Sequence, residues 1–313
     1  MSQWAGNSCA LPCKATQNGC GDPIAACLRS GQRRKTFTRG HPAFIAGANA
    51  HGADDRTQQK GIGKLQIIAD MHTHTCVTAH AFNTLFEMAD AAREKGLLGI
   101  ALTNHAPSMP DAPHEWHFES LGVIPRKLRG VFVLRGAEAN IQPDGTLDLP
   151  DRVLEGLDYV IASFHEPVFP PARPDIITDA LEQILRNPHV NTIGHAGNPH
   201  FAFDFERIIS QCVKYGKMFE INASSLTVRP GSRENCLTVA KLCKKHGVPI
   251  VLSTDAHITF TLGDFTRAEE LLREADFPEE LVVNASLERL SAYFLERKGL
   301  DLVGVINGPD HII

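Results

Sequence analysis

Seven short apolar runs recur along the chain: Leu65–Met71, Leu98–Thr103, Val131–Ala137, Tyr159–Ser163, Asn191–Gly194, Met218–Ile221 and Pro249–Ser253. Each is too short for a helix and predicts a strand. Longer amphipathic segments lie between most of them. Asn83–Lys95 places Phe86, Ala89, Asp90 and Arg93 in helical steps and stops at Gly96. A second helix is expected to be capped by Ser232, with Glu234 in its first turn. It puts Cys236, Val239, Ala240 and Cys243 on one face and ends at Gly247. Strand–helix alternation of this length predicts an α/β protein with a parallel sheet covered by helices. Seven strands suit a closed TIM-like barrel better than an open sheet.

Residues 1–64 do not join this pattern. They hold nine Lys/Arg, three Asp and no Glu, a charge of +6, and show no sustained period. The rest of the 313 residues carries −11, so the net −5 conceals two opposite regions. The expected organisation is a poorly ordered basic extension over 1–64, a catalytic barrel over 65–299 and a C-terminal tail over 300–313. The start lacks the basic region and apolar core of a secretory signal. No run approaches the roughly 18 apolar residues of a membrane span. A reducing cytoplasm is therefore the expected location. Cys9, Cys13, Cys20 and Cys27 do not match zinc-finger spacing. Cys76, Cys212, Cys236 and Cys243 are expected to be buried small hydrophobes.

The composition holds 15 histidines, and their placement matters more than their number. In a barrel, functional residues sit just after the strands. His72 and His74 follow the first strand, with His80 later in the same loop; His105 follows the second. Glu138, His165 and His195 follow the third, fourth and fifth, and Asp255 and His257 the seventh. The sixth ends in Asn222. Imidazoles crowded with carboxylates repel one another when protonated and are costly to desolvate, and metal ions remove that cost. Nine such groups are too many for one tetrahedral ion and suit three, with Zn²⁺ favoured and Mn²⁺ or Fe as substitutes. Clustered divalent ions make hydroxide from water and neutralise an anionic substrate, which phosphate ester hydrolysis requires.

These residues fall in motifs: Asp70-Met71-His72-Thr73-His74, Thr103-Asn104-His105, Asp111 to Phe118 (DAPHEWHF), Arg135 to Asn140, Phe164 to Phe169 (FHEPVF), His195 to Pro199, Glu220-Ile221-Asn222 and Thr254 to His257. They resemble the PHP (polymerase and histidinol phosphatase) superfamily, most closely its YcdX-type phosphatases, from about Ile67 to Gly299. The resemblance implies a distorted seven-stranded barrel with a trinuclear zinc site. One metal takes His72, His74, Glu138 and Asp255; a second shares Glu138 and adds His165 and His195; the third takes His80, His105 and His257. Two positions depart from the family: Asn104 stands where Asp is usual, and Ala196 where Pro is frequent. A modest effect of Asn104 on the orientation of His105 is expected.

The reading is a metal-dependent phosphatase in which a metal-bridging hydroxide attacks phosphorus. His114 and His117 are candidates to protonate the leaving group or cover the substrate; packing within the loop is the alternative. Arg135, Asn222 and Arg229 are candidate phosphate contacts, with structural ion pairs as the alternative. The expected partner is a small phosphorylated substrate, and self-association is compatible with this type. The −11 body disfavours long nucleic acids, while a small phosphodiesterase or nuclease is the runner-up. A metal amidohydrolase is disfavoured because the fourth strand runs into Phe164-His165-Glu166 without the bridging Lys of that group. A non-catalytic module is disfavoured because no ligand type is lost.

Overall fold

The computed structural model describes residues 65–309; the basic extension, its four cysteines and the last four residues of the tail lie outside the described residues. The strands are β1 Ala69–Thr73, β2 Gly99–Leu102, β3 Lys127–Leu128, β4 Val131–Asn140, β5 Tyr159–Ser163, β6 Thr192–Ile193, β7 Met218–Asn222 and β8 Ile250–Ser253. Seven of them run parallel in the order β1-β2-β4-β5-β6-β7-β8, and helices fill most of the crossovers. The predicted barrel is present. The two-residue β3, antiparallel to β4, is an addition that its length hid from sequence patterning.

β4 exchanges partners midway. Phe132–Arg135 pair with β2, and Gly136–Asn140 pair with β5. Gly136 permits the switch, because a Cβ there would lie 2.4 Å from the Tyr159 carbonyl oxygen.

The ring closes between β8 and β1 through a side chain. Asn284 Nδ2 donates to the carbonyls of Ala69 (2.9 Å) and Leu252 (2.7 Å), and its Oδ1 accepts from the Leu252 amide (3.0 Å). At the other end of the seam, the His74 amide donates to the Ala256 carbonyl at 2.9 Å. Asn284 is fully buried. Asn284→Ala is expected to lower stability by about 3 kcal/mol, since it strands three buried polar groups. Urea denaturation checks this; a loss under about 1 kcal/mol would show that the seam does not depend on it.

Alternation along the strands builds the site. One apolar cluster holds Phe132 and Leu134 of β4, Tyr159 and Ile161 of β5, Met218 of β7 and Val251 of β8. Two-residue steps from these positions reach Glu138, Ser163, Glu220 and Ser253, all buried. The same faces are thus apolar early in each strand and polar late. Val283, Leu290, Phe294 and Leu302 of the C-terminal segment join that cluster. The expected tail therefore includes a helix, Leu302–Asn307, anchored by buried Leu302.

Two local expectations change. The helix Ser232–His246 has Gly231 as its N-cap, and Ser232 is its buried first residue. Gly231 takes φ 86°, which suits glycine. Cys212, Cys236 and Cys243 are buried, but Cys76 is exposed, because it lies in the turn after β1 instead of on the strand. Among the described residues, no helix is long and apolar enough to cross a membrane.

Candidate metal centre

Glu138, at the late end of β4, is the hub. Its Oε2 lies 3.2 Å from His72 Nε2 and 2.8 Å from His105 Nδ1; its Oε1 lies 2.9 Å from His195 Nε2 and 3.3 Å from His165 Nε2. Asp255 Oδ1 lies 3.1 Å from His74 Nε2 and 3.6 Å from His72 Nε2. Three triads bring ligand atoms within 4.8 Å of one another: His72, His74 and Asp255; His105, Glu138 and His165; His74, His105 and His257.

His80 stands apart from these triads. Its side chain is 51% exposed and its ring stacks on His257, with centroids 4.4 Å apart. Backbone conformation helps to aim two ligand types: His195 has φ 25° and Asp255 φ 55°. Such left-handed positions cost roughly 1–2 kcal/mol each for a residue with a Cβ.

The outer nitrogens of several rings are occupied. His72 Nδ1 donates to Glu220 Oε1 (2.7 Å), His165 Nδ1 to Asn140 Oδ1 (2.7 Å) and His257 Nδ1 to the Asp255 carbonyl (2.8 Å). His80 Nδ1 donates to Asp111. Each bond fixes a tautomer and leaves Nε2 as a lone-pair donor. Meanwhile His72 Nε2, His74 Nδ1, His105 Nδ1, His257 Nε2 and Glu138 Oε2 are buried without a hydrogen bond. Buried polar atoms are ordinarily paired. Ring nitrogens and a carboxylate oxygen that converge without hydrogen-bond geometry are a donor set that fits metal ions.

Charge supports this. Burial alone would depress the His72 pKa, but Glu138, Glu220 and Asp255 together hold it well above its ordinary value. His105 is likewise raised by Glu138 against burial. Burial lowers His74 well below the usual range, and it lowers His195 to about 4 with help from Arg229. Burial opposes ionisation of Glu138, yet His72, His165 and His105 hold its pKa well below the carboxylate range. His72 and His105 thus hold a proton more tightly than a free imidazole does, and a metal competes with it. Zinc affinity is therefore expected to weaken as pH falls from about 8 to about 6, with protons released from His72 and His105 on binding. Calorimetry in buffers of different ionisation enthalpy measures the released protons; pH-independent affinity would contradict this arrangement.

The remaining candidates divide. Arg229 comes to the cluster, 3.5 Å from Asp255 Oδ2, with its other terminal nitrogen donating to Ser225 Oγ. Asn222 Nδ2 donates to Glu220 and Asp255, both at 3.3 Å. Arg135 does not join: its guanidinium donates to the Ile124 carbonyl, and alternation sets it on the opposite face from Glu138. His114 caps the helix Glu115–Glu119, its Nδ1 accepting from the Trp116 amide. His117 Nε2 lies 3.2 Å from Asn104 Nδ2 and accepts from it. Asn104 Oδ1 accepts from the Thr75 amide at 2.8 Å, so this residue ties two loops together and has no bond to the His105 ring.

Glu220, Asn140 and Asp111 had no role in the sequence reading. Alternation offers the signal for the first two, since Glu220 shares a face with Asn222 and Asn140 with Glu138. Asp111 reaches His80 from another loop, and no local pattern reveals it. Of the histidines without a role, His200 pairs with Glu166, His246 with Glu206 and His189 with Asp151, while His41, His51 and His311 lie outside the described residues.

Comparison with known proteins extends the site into a lineage. The PHP domain model matches residues 70–224. A probable phosphatase of Caldanaerobacter subterraneus subsp. tengcongensis is 44% identical over 242 residues, 76% of this chain and 95% of that protein. A probable phosphatase of Shewanella pealeana is 43% identical over 235 residues, covering 74% and 94%. Among solved structures, the chain is similar to histidinol phosphate phosphatase of Lactococcus lactis subsp. lactis, complexed with zinc, L-histidinol and phosphate. That likeness has 16% identity and a TM-score of 0.47, covering 68% of this chain and 95% of the other.

Proposed function

The chain belongs to the PHP domain family, and on that premise we propose that it hydrolyses phosphoric esters with three divalent ions held by His72, His74, His80, His105, Glu138, His165, His195, Asp255 and His257. It is a metal-dependent phosphatase, and the two relatives are named probable phosphatases. The observation that carries the metal dependence is the set of buried ring nitrogens around Glu138 that lack a hydrogen bond. Imidazole-rich sites suit Zn²⁺, with Mn²⁺ or Fe as substitutes. When bound, such ions would supply a hydroxide nucleophile at neutral pH and neutralise the phosphoryl oxygens.

The chain's own residues do the positioning. Glu138, with both oxygens among histidines, would be shared between neighbouring ligand sets. Asp255 is held by Asn222 and by Arg229, whose planar guanidinium is suited to a phosphoryl oxygen at the cluster edge. His117 accepts at Nε2, so its proton sits on Nδ1, where it can donate a hydrogen bond. His114 is committed to its helix cap. His80, oriented by Asp111, completes the third ligand set from the rim.

The test uses protein stripped by a chelator and reconstituted with Zn²⁺ or Mn²⁺, screened on phosphomonoesters and diesters. Monoester hydrolysis is expected, abolished by stripping and by His105→Ala with the fold retained. Full activity in His105→Ala would contradict the proposal.

A further inference from the structure

Four large aromatic side chains are exposed among the described residues: Phe82, Phe86, Trp116 and Phe260. The three most exposed are Phe82 at 73%, Trp116 at 72% and Phe260 at 83%. Phe82 and Phe260 stand on loops that lead from candidate ligands, and Trp116 on the short helix Glu115–Glu119. Phe82 lies two residues after His80, Phe260 three after His257, and Trp116 in the segment between β2 and β3 that also holds His105.

These loops are tied to the site and to each other. The Phe82 amide donates to the His257 carbonyl at 2.8 Å, and the Thr259 amide donates to Asn83 Oδ1 at 2.9 Å. Lys95 Nζ donates to the carbonyls of Thr259 (2.9 Å), Phe260 (3.1 Å) and Leu262 (2.6 Å), fixing the loop that presents Phe260. Trp116 packs edge-on against His114, with centroids 5.1 Å apart, and its neighbour His117 is held by Asn104, adjacent to His105. The backbone that carries each aromatic is therefore anchored while its ring faces solvent. A single exposed ring is ordinary, whereas several carried on segments joined at one place mark an interaction surface. The Phe82 and Phe260 segments adjoin the backbone of His257, so they are placed to meet the organic half of an ester held at the cluster and not its phosphoryl group.

We propose that Phe82, Trp116 and Phe260 form an apolar rim that binds an aromatic or bulky apolar leaving group, making this enzyme selective for phosphomonoesters of such alcohols. The inference rests on the phosphatase reading above. Binding free energy from the remote group assists the reaction by holding the ester in register with the metal-ligating side chains.

The test compares two esters whose leaving alcohols have similar acidity, 3-phenylpropyl phosphate and n-propyl phosphate, so that chemistry at phosphorus is matched. The zinc-reconstituted full chain is expected to prefer the phenyl ester by about tenfold or more in kcat/KM, the scale of added apolar contact in a binding site. Phe82→Ala, Trp116→Ala and Phe260→Ala change exposed side chains, and each is expected to reduce that ratio, with the triple variant near one. Calorimetry with 3-phenylpropylphosphonate and propylphosphonate gives the same ratio without turnover. A wild-type ratio near one, or a ratio unmoved by the triple variant, overturns the rim. A concentration-dependent dimer that the triple variant dissociates, with the ratio unmoved, assigns the aromatics to a second copy and overturns it too. Hydrolysis of neither ester, nor of any other monoester, with Zn²⁺ or Mn²⁺ instead defeats the phosphatase reading itself.

Discussion

Glu138→Gln is expected to lower kcat/KM for a phosphomonoester by at least about 10²–10³-fold, the scale of removing one member of a preorganised electrostatic site. The substitution keeps the shape and removes the charge. Glu138 touches four imidazoles at 2.8–3.3 Å and is buried to about 1% side-chain exposure. An amide cannot bridge two cations as a carboxylate does, and its NH₂ would face ring nitrogens that serve as lone-pair donors. His72 and His105 lose the partner that raises their pKa values, so both rings shed protons more readily in the metal-free protein. The metal-free fold is therefore expected to survive, with a circular dichroism spectrum like wild type, while bound metal falls. Metal content and activity equal to wild type would remove Glu138 from the hub.

The second large effect is expected at Glu220, which binds no metal in this account. Its carboxylate accepts from His72 Nδ1 at 2.7 Å, from the His195 amide at 2.6 Å, from Asn222 Nδ2 at 3.3 Å and from Ser253 Oγ. One buried group thus orients two ligands on different strands. Burial disfavours its charge, but His72 opposes this and its pKa is lowered. Glu220→Ala strands several buried donors and should cost about 4 kcal/mol of metal-free stability at neutral pH. Zinc affinity should also fall about 10–100-fold, as is usual when the partner of a ligating histidine is lost. Glu220→Gln retains the shape and part of the bonding, so its effects should be smaller. Urea denaturation and competition with a chelating dye measure the two quantities. Loss of stability with unchanged zinc affinity would make Glu220 a packing residue only.

Sequence carried the strand order and the ligand types because both follow local rules. Strands announced themselves as short apolar runs, and ligand types followed their ends, where a barrel gathers loops. The limits of local pattern are equally specific. The seam depends on Asn284, whose three bonds reach Ala69 and Leu252, far away in the chain. Asp111 meets His80 across two loops. Arg135 looks suited to phosphate by residue type, but strand alternation turns it from Glu138 toward Ile124. Asn104 looked like a change in the support of His105, yet its side chain serves Thr75 and His117. Cys76 followed an apolar strand in sequence but fell in the turn beyond it. In each case a long-range contact or a turn decided the outcome, and neither leaves a local period.

The central claim is a three-metal centre organised by Glu138. Its most direct measurement is zinc bound per chain at saturation, by equilibrium dialysis and plasma mass spectrometry of the full-length protein. The account predicts three ions per wild-type chain and fewer in Glu138→Gln. One ion or none in the wild type, with no change on substitution of Glu138, would contradict it.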